Sequence, residues 1–496
     1  MLTSFKNLKK FQLSEYILLA LFAFSLPFSW RIATYVMMAL FANVFLKGVF
    51  DEGFKLNPLQ YKHKLIYLIF IAFWAIYAIS FLYSENSAEA RVQIGKKLPF
   101  LLFPLFFLFS NLSYLTKDRV RTIMYCFVCG ILIFYTVNFF WALYDIFFKD
   151  FSNTRLTSPY SFFKTNDTLF TFMHRAHFSL FTCFGFVFCF VEFIKVDSLK
   201  SKIFNLLLII ILFFSPFYVY SRAGSLCIIV ILFILWIWIT FILKRRMFGI
   251  ISGMTFICLL IAGYFAFPKT IDRFTNAIEN IRNGKGDYRL TIRNANRHVI
   301  CENFVFGVGA GDRNDETLES YQKYKDDMIS KITPSEKLIL NVDDNRRIFS
   351  DGIYEYKHKY VESAYKYADS IIKRNKFNDS PIKEYLNEYR MIKLCIKKEL
   401  NAHNQFSDTI IAVGVIGLLL LLTFFVYPVY LWIKNKNFDV GFFSLLIIIA
   451  FNSLFESVFE RQMGIMFFVF FYFLLFHGNF CQQSTDNSQQ ILSNVK

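Results

Sequence analysis

The segment SLCIIVILFILWIWITFIL, residues Ser225–Leu243, contains no Asp, Glu, Lys or Arg. A helix needs about 20 mostly apolar residues to cross a bilayer, and this segment is close to that length. Similar segments recur along the chain, so the sequence predicts about twelve membrane spans. The twelve lie near Tyr16–Trp30, Ile32–Phe50, Leu65–Tyr83, Leu98–Leu112, Thr122–Phe148, Ala176–Ile194, Ile203–Tyr220, Ser225–Leu243, Phe248–Phe267, Thr409–Ile433, Val440–Phe455 and Met463–Phe476.

The composition supports the same class. Of the 496 residues, 55% are hydrophobic and 18% are charged, which is outside the usual range of soluble proteins. Lys6, Lys9 and Lys10 precede the first apolar segment, and no small-residue cleavage site follows it. We therefore expect an uncleaved span there and not a signal peptide.

The basic residues are scattered over short loops, and they are denser in every second loop. Because cytoplasmic loops carry the excess of Lys and Arg, this alternation predicts an even number of spans with both termini in the cytoplasm. The net charge of +17 is then mostly a consequence of topology. A nucleic-acid partner is a poor explanation for charge distributed in this way, and we expect none.

One long polar stretch, about Lys269–Ala402, interrupts the apolar segments and is predicted to face outward, which is the periplasm in a cell with two membranes. The predicted division is residues 1–267 for the first nine spans, 268–404 for a periplasmic lobe, 405–480 for the last three spans and 481–496 for a disordered cytoplasmic tail. The fold class predicted is an all-α polytopic membrane protein with one large, mainly helical periplasmic loop.

The loop pattern predicts four helices, with little hydrophobic core of their own, that pack on the membrane domain. The predicted bounds are Asp287–Phe304, Glu316–Ile332, Asp351–Arg374 and Ile382–Leu400. Cys301 and Cys395 both fall in this stretch, where a disulfide is one possibility.

Arginines at the predicted outer face are candidates for binding an anionic group. Arg222 stands in the turn Ser221–Leu226, SRAGSL, whose small residues allow a close approach. Arg289, Arg293 and Arg297 are spaced to share one helix face, and guanidinium groups bind phosphate oxygens bidentately. The alternatives are interfacial arginines that reach lipid headgroups and a solvated basic face.

His403 and Asn404 stand where the polar stretch re-enters the membrane. A neutral imidazole can take a proton from a sugar hydroxyl, although an interfacial histidine with a satisfied hydrogen bond is the alternative. Glu456, a carboxylate at the membrane edge, is a further candidate. Glu460 precedes Arg461 and could simply be paired with it.

His174, Arg175 and His177 form a compact cluster at another predicted outer edge. No acidic residue completes a recognisable ligand spacing, so we expect polar contacts to substrate and no metal. The stretch Gly307–Gly311, GVGAG, lacks the Lys and the strand of a phosphate loop and is interpreted as an ordinary turn.

Taken together, these features resemble the O-antigen ligase / O-antigen polymerase family of membrane glycosyltransferases. The resemblance rests on the order of four features: the SRAGSL turn, Tyr288-Arg289-Leu290 leading to Phe306–Gly311, the large outward loop, and His403-Asn404 before Gly414–Leu418. The segments Lys97–Phe106 and Glu456–Gly464 also look like this family.

The resemblance implies a GT-C-like fold in the inner membrane that transfers a glycan from undecaprenyl diphosphate to an acceptor hydroxyl on the periplasmic side. Arg222 and Arg289 would hold the diphosphate, and His403 would activate the acceptor, without metal or cofactor. Two departures stand out. The stretch from about Ser335 to Ile392 is longer than usual, and Thr291-Ile292-Arg293 replaces the aromatic residue that follows Arg289 in many relatives, so Arg293 could share the diphosphate contact.

Several functions remain open at this point. The acceptor could be lipid A–core, as in a ligase, a growing polymer, as in a polymerase, or a protein. A flippase or transporter would show internal pseudo-repeats and charges in mid-membrane, and neither is evident in the sequence.

Overall fold

The computed structural model describes residues 10–52, 63–110, 112–148, 175–219, 221–266, 275, 288–331, 381–397, 401–436 and 438–481. Over these residues the fold consists of helices joined by turns. The helices are α1 Lys10–Ser25, α2 Trp30–Lys47, α3 Lys64–Ser80, α4 Ser87–Lys96, α5 Pro99–Phe109, α6 Lys117–Phe148, α7 Arg175–Lys195, α8 Leu199–Tyr218, α9 Arg222–Ile237, α10 Arg246–Ala266, α11 Tyr288–Glu302, α12 Arg313–Ser330, α13 Pro381–Lys397, α14 Gln405–Asn435, α15 Val440–Ser453 and α16 Gln462–Phe476.

Eight helical stretches among the described residues are long and apolar enough to cross a membrane. They are Trp30–Phe50, Ser87–Phe109, Lys117–Asn138, Ala176–Lys195, Leu199–Tyr218, Arg222–Ile242, Gln405–Asn435 and Gln462–Asn479. Three further apolar helices are shorter: Lys64–Ser80, Arg246–Ala262 and Val440–Ser453. The all-helical, multi-pass membrane class is confirmed. The count of about twelve spans and the periplasmic side of the loop remain predictions.

Helix α16 lies at the centre of the apolar bundle, and its phenylalanines are buried. The ring of Phe470 lies 4.7 Å from that of Phe22, and the ring of Phe471 lies 4.8 Å from that of Phe127. Tilted and edge-on aromatic pairs of this kind add about 0.5–1.5 kcal/mol to the burial of apolar area. This packing fixes α16 and therefore the residues that immediately precede it.

Helices α11, α12 and α13 form a small lobe, and the hydrophobic core that they share is limited, as expected, to one cluster of seven buried residues among those described. Ile292, Tyr321 and Ile392 come one from each helix and are fully buried. Three of the four predicted loop helices are found with bounds shifted by a few residues, while Asp351–Arg374 lies outside the described residues. A Cys301–Cys395 disulfide is not formed: Cys395 is buried in the lobe core, Cys301 is exposed, and both are free.

The lobe is joined to the membrane bundle at a break in α14. Val413 and Gly414 are non-helical, with φ of 69° at Gly414, so the carbonyls just before them lose their helical partners. The amides of Val308 and Gly309 donate to the carbonyls of Ile411 and Ala412 at 2.8 and 3.0 Å. The GVGAG stretch is therefore a turn, as expected, but a turn that pairs with the broken helix.

Candidate functional site

A carboxylate between α15 and α16 brings two predicted site residues together. Glu456 accepts a hydrogen bond from the guanidinium of Arg289 at 3.1 Å through Oε1. Its other oxygen, Oε2, lies 3.3 Å from Nδ1 of His403. Arg289 belongs to the lobe, whereas His403 precedes α14, so the cluster joins three separate parts of the chain.

The backbone at His403 is held in an unusual conformation. His403 has a φ of 46°, in the left-handed region that residues other than glycine rarely adopt. Its amide donates to the side chain of Asn401 at 3.1 Å. Strained residues of this kind cost about 1–3 kcal/mol and concentrate at functional sites. Lys244 and Lys436 share this region, so the functional role of His403 stays a prediction.

The contacts of Asn404 stabilise the start of α14. It is the N-cap of α14, and its side-chain oxygen accepts hydrogen bonds from the amides of Phe406 and Ser407 at 2.9 and 3.0 Å. Its amide nitrogen donates to the carbonyl of Leu454 at 3.2 Å. Asn404 therefore fixes the start of α14 against the turn that contains Glu456, and these contacts explain the residue without a substrate.

Arg289 is the second residue of α11, and its side chain is about a quarter exposed. In addition to the ion pair with Glu456, its guanidinium lies 6.0 Å from the ring centre of Phe455. A cation over an aromatic face is stabilised by the ring quadrupole. These two contacts hold the guanidinium at the edge of the bundle, where it remains partly open to solvent.

The other predicted arginines are not brought into this cluster. Arg293 lies one turn further along α11, is exposed and has no polar contact with another described residue. Arg222 is the first residue of α9, half-buried, and likewise makes no ion pair with the described residues. Ser221 caps α9 and accepts a hydrogen bond from Ser179 of α7 at 2.9 Å, which fixes the position of the SRAGSL turn.

The predicted histidine cluster is only partly described. His177 is buried near the start of α7, and its Nε2 lies 3.3 Å from the carbonyl of Val458, two residues after Glu456. Arg175 is the first residue of α7, and His174 lies outside the described residues. Among the described residues, no group of three or more His, Cys, Asp or Glu side chains is placed to hold a metal ion.

A buried ion cluster, which was not predicted from the sequence, includes residues a few positions after His403 and Glu456. Arg313, the first residue of α12, donates to both oxygens of Asp408 at 3.0 and 2.8 Å and also pairs with Glu460. Lys97 lies 3.5 Å from Glu460 and 4.5 Å from the ring centre of Tyr77. The buried cluster, as we call Lys97, Arg313, Asp408 and Glu460, thus contains two basic and two acidic side chains.

The suggested pairing of Glu460 with Arg461 is wrong, since the described partners of Glu460 are Arg313 and Lys97. Burial alone would raise the pKa of the Glu460 carboxyl, but the Arg313 and Lys97 cations lower this pKa far below its usual range. One sequence signal could have revealed the cluster: Asp408 stands in the first turn of an apolar span, where an acidic residue needs a partner.

Comparison with known proteins bears on the identity of the chain. Residues 207–337 match the model of a family described as O-Antigen ligase. No curated protein matches the chain. The matched stretch includes Arg222 and Arg289 and ends before His403. This match agrees with the resemblance inferred from the sequence motifs and supports a relationship of the chain to the O-antigen ligase / O-antigen polymerase family of membrane glycosyltransferases.

Proposed function

We propose that the protein is an O-antigen ligase-like glycosyltransferase that moves a glycan from undecaprenyl diphosphate to a hydroxyl of lipid A–core. The reaction takes place at the periplasmic face of the inner membrane, where the sequence predicts the lobe to lie. The family supports a lipid-linked glycan substrate and a membrane setting. The observation that carries the proposal is the contact of one carboxylate, Glu456, with both Arg289 and His403.

In this proposal His403 acts as the general base. The acceptor hydroxyl attacks the anomeric carbon of the glycan, the bond from that carbon to the diphosphate oxygen breaks, and the hydroxyl proton passes to the His403 imidazole. The Glu456 carboxylate beside Nδ1 orients the ring and stabilises the imidazolium that forms. Undecaprenyl diphosphate leaves with the bonding electron pair as negative charge.

Cations are needed where that negative charge develops. Arg289 is placed for this task because it lies beside the proposed base and remains partly exposed. Arg222 and Arg293 are proposed to bind the same diphosphate from the SRAGSL turn and from the next turn of α11. A planar guanidinium binds two phosphate oxygens at once, which suits arginine better than lysine to this role.

We propose that the reaction needs no metal, since arginines would stabilise the leaving group. The test is transfer by purified protein before and after extensive dialysis against a chelator. An unchanged rate is expected. Loss of transfer that added Mg²⁺ or Mn²⁺ restores would overturn this part of the proposal and leave the glycosyl transfer itself standing.

The decisive experiment compares a deletion strain complemented with the wild type, with His403→Ala and with His298→Ala. His298 is an exposed histidine of α11 and serves as the matched control. We expect the wild type and His298→Ala to attach polymer to lipid A–core. We expect His403→Ala to lose this attachment while lipid-linked polymer accumulates.

Other profiles would point to other acceptors. Single repeat units left on the carrier after deletion would indicate a polymerase, the alternative within the same family. A glycosylated protein that disappears on deletion, with unchanged lipopolysaccharide, would indicate a protein O-oligosaccharyltransferase. Movement of the lipid-linked glycan across vesicles by purified protein, without transfer, would indicate a flippase.

A further inference from the structure

We infer that Arg313 is a positioning residue for the proposed transfer: it holds the segments that carry His403 and Glu456 in register. This inference deepens the proposed function and rests on it. Arg313 is contributed by the lobe, and its two acidic partners belong to the two segments in question.

The chain places each acidic partner close to a site residue. Asp408 follows His403 by five residues and lies in the first turn of α14. Glu460 follows Glu456 by four residues in the short helical turn Val458–Glu460. A single guanidinium that pairs with Asp408 and Glu460 therefore fixes the distance between the two segments.

A second contact ties the same two segments together. The amide of Phe459 donates to the side-chain carbonyl of Gln405 at 2.6 Å, and Gln405 is fully buried. The side-chain nitrogen of Gln405 donates to Thr409 at 3.1 Å. The Arg313 pairings and the Phe459–Gln405 hydrogen bond therefore connect the same two segments through buried side chains.

Burying these charged side chains costs desolvation free energy, which is offset only when the charges pair in a specific geometry. The side chain of Arg313 is 5% exposed, that of Asp408 2% and that of Lys97 1%. A buried ion pair need not stabilise the fold, because well-packed apolar residues of similar volume often give an equal or larger free energy of unfolding. Directional pairing, which apolar residues cannot supply, is the property that the site requires.

The residue type matters for the same reason. Nη1 of Arg313 contacts both oxygens of Asp408 and pairs with Glu460, while Nη2 donates to Oδ1 of Asn314 at 2.8 Å, so both terminal nitrogens fix the guanidinium plane. A lysine would keep the charge but would have no second nitrogen for Asn314 and no fixed plane. Arg313→Lys should therefore leave the cluster electrically balanced and loosen the relation between His403 and Glu456.

The test uses full-length purified protein with four forms compared: the wild type, Arg313→Lys, Asp408→Asn and Lys323→Met. Lys323 is an exposed lysine on the same helix that pairs with Glu319 at 2.9 Å, so its loss is a matched control. Measured for each are the folded fraction, kcat for transfer per folded molecule, and the KM for the lipid-linked donor.

We expect kcat per folded molecule to fall about 10- to 100-fold in Arg313→Lys and Asp408→Asn, since small misplacements of catalytic groups have effects of this size. The donor KM should change less than about threefold, because Arg289 lies outside the buried cluster. Lys323→Met should match the wild type in both constants.

Two results would overturn the inference. One is an unchanged kcat per folded molecule in the cluster variants, whatever their yield. The other is failure of both variants to fold, which would assign the buried cluster to folding alone. A wild-type protein that transfers no glycan would instead contradict the proposed function, so the two failures are distinguishable.

Discussion

Oε2 of Glu456 lies 3.3 Å from Nδ1 of His403, although 53 residues separate the two along the chain. A carboxylate beside one ring nitrogen of a histidine sets the tautomer and the orientation of the ring. The other oxygen of Glu456 accepts a hydrogen bond from Arg289. One side chain therefore relates the proposed base to the proposed cation.

Removing the charge of Glu456 tests that relation. Glu456→Gln keeps the size of the side chain but lets it donate a hydrogen bond, which misorients His403 and removes the pairing with Arg289. We expect transfer to fall by about 10²- to 10⁴-fold, the range found when an orienting carboxylate or a general base is lost. The measurement is the transfer rate of purified protein. Glu302→Gln, at an exposed position of α11, is the control and should retain full activity.

Arg289 is expected to need its guanidinium and not only its charge. Arg289→Lys would lose the bidentate geometry that suits a diphosphate. We expect the variant to lose at least about tenfold in kcat/KM for the lipid-linked donor. Arg91→Lys, at an exposed arginine of α4, supplies the comparison. Equal activity of Arg289→Lys and the wild type would remove Arg289 from the proposed diphosphate site.

The break in α14 makes Gly414 a specific test of how the lobe is attached. A Cβ at this position would collide with the carbonyl of Val305, and φ there is 69°. Gly414→Ala should cost at least about 1–3 kcal/mol of unfolding free energy from backbone strain alone. The thermal midpoint of detergent-solubilised protein should fall. Gly95→Ala, with open space around the glycine, should keep or slightly raise that midpoint.

The side of the membrane on which the lobe lies can be measured through Cys301, which is exposed, while Cys395 is buried. Burial raises the pKa of the Cys395 thiol to about 12, which suppresses the reactive thiolate. In cells with a permeable outer membrane, an impermeant maleimide should label the protein at Cys301 and leave Cys395 intact.

The control for sidedness is Lys200→Cys in a variant that has no other cysteine. Lys200 lies in the first turn of α8, in a loop predicted to be cytoplasmic. It should react only after the inner membrane is opened. If Lys200→Cys were labelled in cells with an intact inner membrane while Cys301 stayed unlabelled, the topology would be opposite to the predicted one.

The apolar segments and the lobe helices could be predicted from the sequence because each depends on local pattern. The helix around Arg289 was expected at Asp287–Phe304 and is found at Tyr288–Glu302. His403, Arg289 and Glu456 could be selected because ionisable residues at a membrane edge are few. Their mutual contacts could not be predicted, since nothing in a single sequence specifies the register of distant segments.

The contacts within the buried cluster likewise could not be predicted from the sequence. Lys97 stands out in the sequence only as the first residue of a segment that resembles the family, yet it is buried 3.5 Å from Glu460. Arg313 and Asp408 are 95 positions apart, and each looks ordinary next to its own neighbours. Charge balance in a buried site is a property of the folded chain, so these roles became visible only when the helices were packed.

The pairing of the GVGAG turn with the broken helix has a mechanical consequence. The amides of Val308, Gly309 and Val415 donate to the carbonyls of Ile411, Ala412 and Phe304, so the turn that follows α11 is bonded to the broken part of α14. Parting them would break three hydrogen bonds worth about 0.5–1.5 kcal/mol each. We therefore expect the lobe and the start of α14 to move as one rigid body. The glycan of the proposed reaction would then enter between other elements and not between the lobe and α14.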